Sequence, residues 1–152
     1  MMLPAGATGF GPVRARVPSV DVGAFITLCL AAARSTGGTV GDVKRAGVTP
    51  SFHHVVIDYP AHQVAVLCHC CLPLLALATP PREGDAGTPV FAECVRLAQG
   101  LGESPDFQIM TASQLNTPLQ HVDLSQLDDA EHEMVRYWQP ATVGDLLFNY
   151  WD

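Results

Sequence analysis

The sequence is poor in charge and poorest in lysine. Only 15% of its 152 residues are Asp, Glu, Lys or Arg, against roughly one quarter in an average soluble domain. Lys44 is the single lysine. The surface must therefore expose Ser, Thr, Gln, Gly and some apolar area, and apolar area suits a partner or self-association. Phosphate-loop signatures are missing as well. Gly6, Gly9 and Gly11 follow no predicted strand and have no P-loop lysine, while Gly37-Gly38 reads as a helix end. No G-x-S-x-G elbow occurs, and His132-Glu133 lacks the second histidine of H-E-x-x-H. Nucleotide-loop, serine-hydrolase and zincin chemistries have no motif here. No charged n-region followed by an apolar stretch opens the chain. Residues 20–33 and 64–78 are apolar but short and interrupted, the first by Asp21 and Gly23, the second by His69 and Pro73. The expectation is a soluble cytoplasmic protein with neither a membrane nor a nucleic acid as partner.

The charge that is present is unevenly spread. The net charge is -7. Residues 1–50 carry five bases (Arg14, Arg16, Arg34, Lys44 and Arg45) against Asp21 and Asp42, or +3. Residues 51–152 carry three bases against thirteen acids, or -10. An acidic remainder of that size repels phosphate, and a basic protein partner is the economical reading.

Five cysteines are an odd number, and Cys68, Cys70 and Cys71 fall inside one apolar stretch. A disulfide framework does not look like this. In a strand Cys70 and Cys71 point apart, and Cys68 and Cys70 stand about 7 Å apart at Cα, too far to bridge. Cys29 and Cys94 read as inner-face positions in the middle of helices. All five read as reduced thiols serving as small hydrophobes.

With 48% apolar residues the chain can build a core, and residues 52–78 are its centre. Phe52 to Tyr59 is β-branched and aromatic, Pro60-Ala61 reverses the chain, and Gln63 to Cys71 returns. Both faces of the returning arm are apolar, which predicts an interior strand. Before it, Asp21 or Ser19 caps a helix to about Arg34, and Thr39-Val-Gly-Asp42 reads as a capping box for a short helix ended by Gly47. After it come a turn-rich surface loop over 79–89, a helix over 90–99, a short strand over 107–110 and a capped turn at Thr111. Ser125 or Asp123 then caps a helix to Trp138, and Thr142 caps a last short one. The aromatic terminus (Tyr137, Trp138, Phe148, Tyr150, Trp151) is expected to dock on the protein's own sheet. The fold class is α+β: a small mixed or antiparallel sheet built around the central hairpin, with helices packed on it. Residues 1–18 form a flexible or edge-strand lead-in, with a strand over 12–17, and residues 19–152 form a single domain.

Candidate chemistry is sparse. His53, His54, Cys68 and Cys70 could hold zinc, since hairpin pairing brings His53 or His54 near Cys68 to Cys70, although neighbours on a strand alternate faces. His53, Asp58 and Cys70 are the candidates for catalysis, but no cysteine begins a helix to lower its pKa. Asp58 reads as the solvent-side residue of a turn-proximal strand in preference to a buried acid paired with His62 or His53. Asp128, Asp129, Glu131 and Glu133 crowd one helix start and form the candidate partner-binding face. The function expected is a non-catalytic protein-binding protein of the immunity or antitoxin kind, its acidic face meeting a basic partner and needing no cofactor. The alternatives are a small enzyme or zinc-binding protein using the Cys/His-rich hairpin 52–71, or a structural subunit of a homo-oligomer.

Overall fold

A computed structural model describes residues 1–10, 20–47, 50–82 and 89–151. The edge strand expected over 12–17 and residues 83–88 of the loop lie outside them. Helix α1 (Val22–Thr36) begins where the Asp21 side chain accepts from the Ala24 amide and ends at Gly37, whose φ of 79° is the left-handed stop glycine supplies. The chain then lays down four antiparallel strands: β1 (Thr39–Lys44), β2 (Phe52–Asp58), β3 (Gln63–His69) and β4 (Leu74–Ala78). After α2 (Val95–Gly102), β5 (Gln108–Ile109) pairs parallel with Leu74 and Leu75. Among the described residues the order is β1-β2-β3-β4-β5, a mixed sheet with β3 at its centre. The doubly apolar pattern of β3 is thus accounted for: Val66 and Cys68 face one layer, Ala65 and Leu67 the other, and all are buried.

One face of the sheet is sealed by α1 and α2. Phe25 and Cys29 of α1, and Leu97 and Leu101 of α2, meet Val55, Ile57, Val66, Cys68 and Leu75, all fully buried. Each large side chain so buried stabilises the fold by about 2 kcal/mol relative to exposure. The other face is covered by α3 (Ala112–Leu115), the 3-10 turn Leu119–His121, α4 (Asp129–Trp138), α5 (Val143–Leu147) and the loop around Ala7. Phe148 sits edge-on to Phe52, His69 and Phe91 with centroids 6.0 to 6.2 Å apart. Phe148 and Trp151 are buried as expected, but Tyr137 remains 78% exposed and Trp138 38%. The fold class is as the sequence indicated. No helix among the described residues is long and apolar enough to cross a membrane.

Three local expectations are corrected. Residues 39–44 form an edge strand and not a helix, because Gly38 and Gly41 lie directly on β2. A Cβ at Gly41 would come within 2.6 Å of Asp58 Oδ2, and one at Gly38 within 2.7 Å of Ile57 Cγ2. Residues 90–92 run along β4, with Thr79 N donating to Val90 O and Ala92 N to Leu77 O (each 2.9 Å), so α2 starts only at Val95. Cys94 is therefore the N-cap residue, not a mid-helix one. Helix α4 is capped by Asp128, three residues beyond Ser125, in a capping box closed by Glu131.

Candidate functional site

The acidic cluster divides on inspection. Glu131 is fully buried. Its carboxylate accepts hydrogen bonds from the amides of Gly6 (2.8 Å) and Thr8 (3.0 Å) and from Thr8 Oγ1 (2.6 Å). Those bonds hold the N-terminal loop, so Glu131 cannot belong to a partner-binding face. Asp128 is half-buried and engaged as a cap, its Oδ1 accepting from the Glu131 amide at 2.8 Å. Asp129 and Glu133 remain exposed.

The hairpin candidates also separate. His53 pairs with Cys68 across β2 and β3, and its Nδ1 accepts from the Ala46 amide at 2.7 Å. Cys68 lies under α1 with Cys29, and burial pushes both thiols up to about 12. They are inert at neutral pH. Asp58 accepts from Gln63 Nε2 at the mouth of the hairpin, which is the solvent-side role. Cys70 does not point away from Cys71. The strand ends at His69, and the two Sγ atoms are 3.2 Å apart.

His54 goes elsewhere, and it leads to a broad concave feature. On the opposite face from His53, it is paired in register with Lys44 of β1. Burial and the Lys44 ammonium lower its pKa from the ordinary 6.5, against a smaller upward pull from Asp42. Around it opens a cleft of about 900 Å³. One wall is Asp42, Lys44 and Arg45 of the β1 segment, and another is Thr79 to Arg82 after β4. Phe52, His54 and Tyr150 make one side of it aromatic, with the Phe52 and Tyr150 rings edge-to-face at 5.4 Å.

The electrostatics of this cleft run against those of the chain. Six bases lie among the described residues: Arg34, Lys44, Arg45, Arg82, Arg96 and Arg136. Three of them line the cleft, and Asp42 is the acid among the described lining residues, in a chain of net charge -7. Low-dielectric walls and one sign of charge focus potential and draw in a counter-charged ligand. The volume falls in the range of small-molecule sites, about 300–1,000 Å³. Sequence reasoning missed Arg82 and Tyr150, which reach the cleft only through the fold. The +3 balance of residues 1–50 was the available signal for Lys44 and Arg45. No protein-family model, no curated protein and no solved structure matches the chain.

Proposed function

We propose that this chain is a non-catalytic binding protein that takes an anionic ligand, a phosphate- or carboxylate-bearing molecule with a flat or apolar body, in the cleft around His54. The observation that carries the reading is the gathering of Lys44, Arg45 and Arg82 on one concavity of an acidic chain. Lys44 ends the edge strand β1, Arg45 follows it and Arg82 follows β4, so the cations converge from two sides of the cleft. The lining supplies positive charge beside aromatic side chains, the equipment of recognition. Cytoplasmic residence belongs to the same proposal and rests on the reduced, mostly buried cysteines.

Titration of the isotope-labelled protein with pyrophosphate and with citrate tests it. Saturable amide shifts at Lys44, His54, Gln63 and Arg82 are expected. Lys44→Ala and Arg45→Ala should each weaken binding about tenfold, the worth of one charge-assisted hydrogen bond. Shifts that never saturate at millimolar ligand, or that survive both substitutions, would overturn the assignment.

A second reading keeps the basic protein partner expected of an immunity or antitoxin protein, now on a smaller surface. Asp129, Glu133 and Tyr137 are exposed at i, i+4 and i+8 of α4, an acidic stripe ending in an open aromatic ring. Co-purification of a basic protein that is lost in Asp129→Lys/Glu133→Lys, yet kept in Lys44→Ala, would favour this stripe over the cleft.

A further inference from the structure

Where β3 ends, three side chains of soft-metal type come together. The ring of His69 and the sulfurs of Cys70 and Cys71 each offer a ligand atom, and these atoms lie within 4.8 Å of one another. The two sulfurs stand at 3.2 Å, and both residues are less than a tenth exposed (5% and 7%). Adjacent residues can converge only where the strand's alternation has stopped. Here the last ladder bond is from Cys70 N to Ser51 O at 3.0 Å, and beyond it the chain turns toward Pro73.

The histidine has its tautomer fixed from behind. Nε2 lies 2.7 Å from the Ala7 carbonyl oxygen, which can only accept, so Nε2 carries the proton. Nδ1 is then the lone-pair nitrogen, on the side of the Cys71 and Leu72 amides, each donating to it at 3.1 Å. A histidine that donates its far N–H to a backbone carbonyl has the outer-shell arrangement typical of metal-ligating imidazoles, and a ring nitrogen of His69 lies within 4.8 Å of both sulfurs. The geometry points to His69, Cys70 and Cys71 as a three-ligand site for a thiophilic divalent cation of the zinc class.

Binding exchanges the two amide donors at Nδ1 for the cation and releases one proton from each thiol, giving a centre held by two thiolates and one imidazole. Tetrahedral coordination with arms of about 2.3 Å sets two sulfurs about 3.8 Å apart, so the pair opens by roughly half an ångström, a small side-chain rotation. The N-terminal loop closes over the site. Gly9 has φ +75°, and a Cβ there would sit 3.2 Å from Cys70 Sγ. The cluster lies apart from the cationic cleft and shares no residue with its lining. It also differs from the pairing of His53 with Cys68, which lies under the helices.

The test uses the full chain without an affinity tag, reduced with a phosphine, stripped of metal and titrated with cobalt(II). One equivalent should give the intense sulfur-to-cobalt absorption and the visible bands of a tetrahedral thiolate site, and zinc should displace them. Cys70→Ser and Cys71→Ser should each weaken the metal more than about 100-fold, beyond the loss of an outer-shell partner, while Cys94→Ser leaves it unchanged. Folded, reduced wild-type protein without that absorption overturns the proposal, as does absorption that persists in both serine variants. Should either variant fail to fold, X-ray absorption of the zinc-loaded wild type decides. Two sulfurs with nitrogen uphold the site, and a sphere with no sulfur or with four refutes it.

Discussion

The two faces of the sheet are built on different principles. Beneath α1 and α2 the contacts are aliphatic and aromatic, and even the thiols there, Cys29 and Cys68, are held un-ionised by burial. The opposite face is closed by short helices and loops that must be tied down by polar groups. Glu131 holds the loop at Gly6 and Thr8. Asn149 donates through Nδ2 to Thr8 O (3.0 Å) and Leu146 O (2.8 Å), and its own amide donates to Ser51 Oγ at 3.0 Å. The face under α1 and α2 is closed over the middle of the sheet. The one assembled from loops leaves an uncovered stretch of sheet beside β1, and that is where the cations collect. Both faces bury an apolar layer, but only the loop-built face adds buried polar ties to it.

The comparison breaks most visibly through the sealed face. Phe25 is fully buried and packs 6.3 Å from Phe107. Phe25→Ala should cost about 3–5 kcal/mol, the lost transfer energy plus an unfilled cavity. Urea unfolding should show a lower midpoint with one cooperative transition, and amide exchange should accelerate over all five strands. On the polar face Glu131→Ala should cost about 3 kcal/mol, because two buried amides and a hydroxyl lose their acceptor. Its signature should be local: fast exchange at Gly6 and Thr8 ahead of global unfolding, with Glu131→Gln intermediate. Should Glu131→Ala unfold the chain as uniformly as Phe25→Ala does, the polar knots are part of one continuous core and the contrast fails.

How far the sequence carried this picture depended on whether a signal was local. The hairpin from Phe52 to Cys71 was legible because alternation, a Pro-Ala reversal and apolar character on both faces all agreed. The tetrapeptide Thr-Val-Gly-Asp shows the limit. At 142–145 it forms the capping box its pattern announces, with Thr142 Oγ1 accepting from the Asp145 amide at 3.2 Å. At 39–42 the same residues are strand, because the glycine was needed for close approach to Asp58. The tetrapeptide itself does not distinguish them; the packed neighbour does. Glu131 was hidden for the same reason. An acid in the first turn of a helix ordinarily faces water, and only the loop 123 residues away in sequence takes it into the core. Cys70 and Cys71 were assigned opposite directions by extending the strand two residues too far.

The smallest expected effect is the one that tests whether the open part of the polar face is a site at all. His54 is buried, faces Lys44, and has its pKa below the ordinary 6.5. The unfolded chain therefore takes up a proton at this residue before the folded chain does as pH falls. Stability from this group is complete above about pH 6.5 and declines as pH drops from there to the folded-state pKa, a slope that His54→Gln should remove. An anion in the cleft offsets the Lys44 charge and raises the folded pKa, so it should shrink that slope. Sulfate is a suitable probe because its charge is constant across the window. Unfolding free energies at several pH values between 5 and 7.5, with and without sulfate, give the answer. The difference between wild type and His54→Gln should narrow in sulfate, and the His54 ring resonance should titrate at higher pH. Equal narrowing in Lys44→Ala/Arg45→Ala would mean that sulfate acts on the whole surface, and the cleft would then be no more than the uncovered end of a sheet.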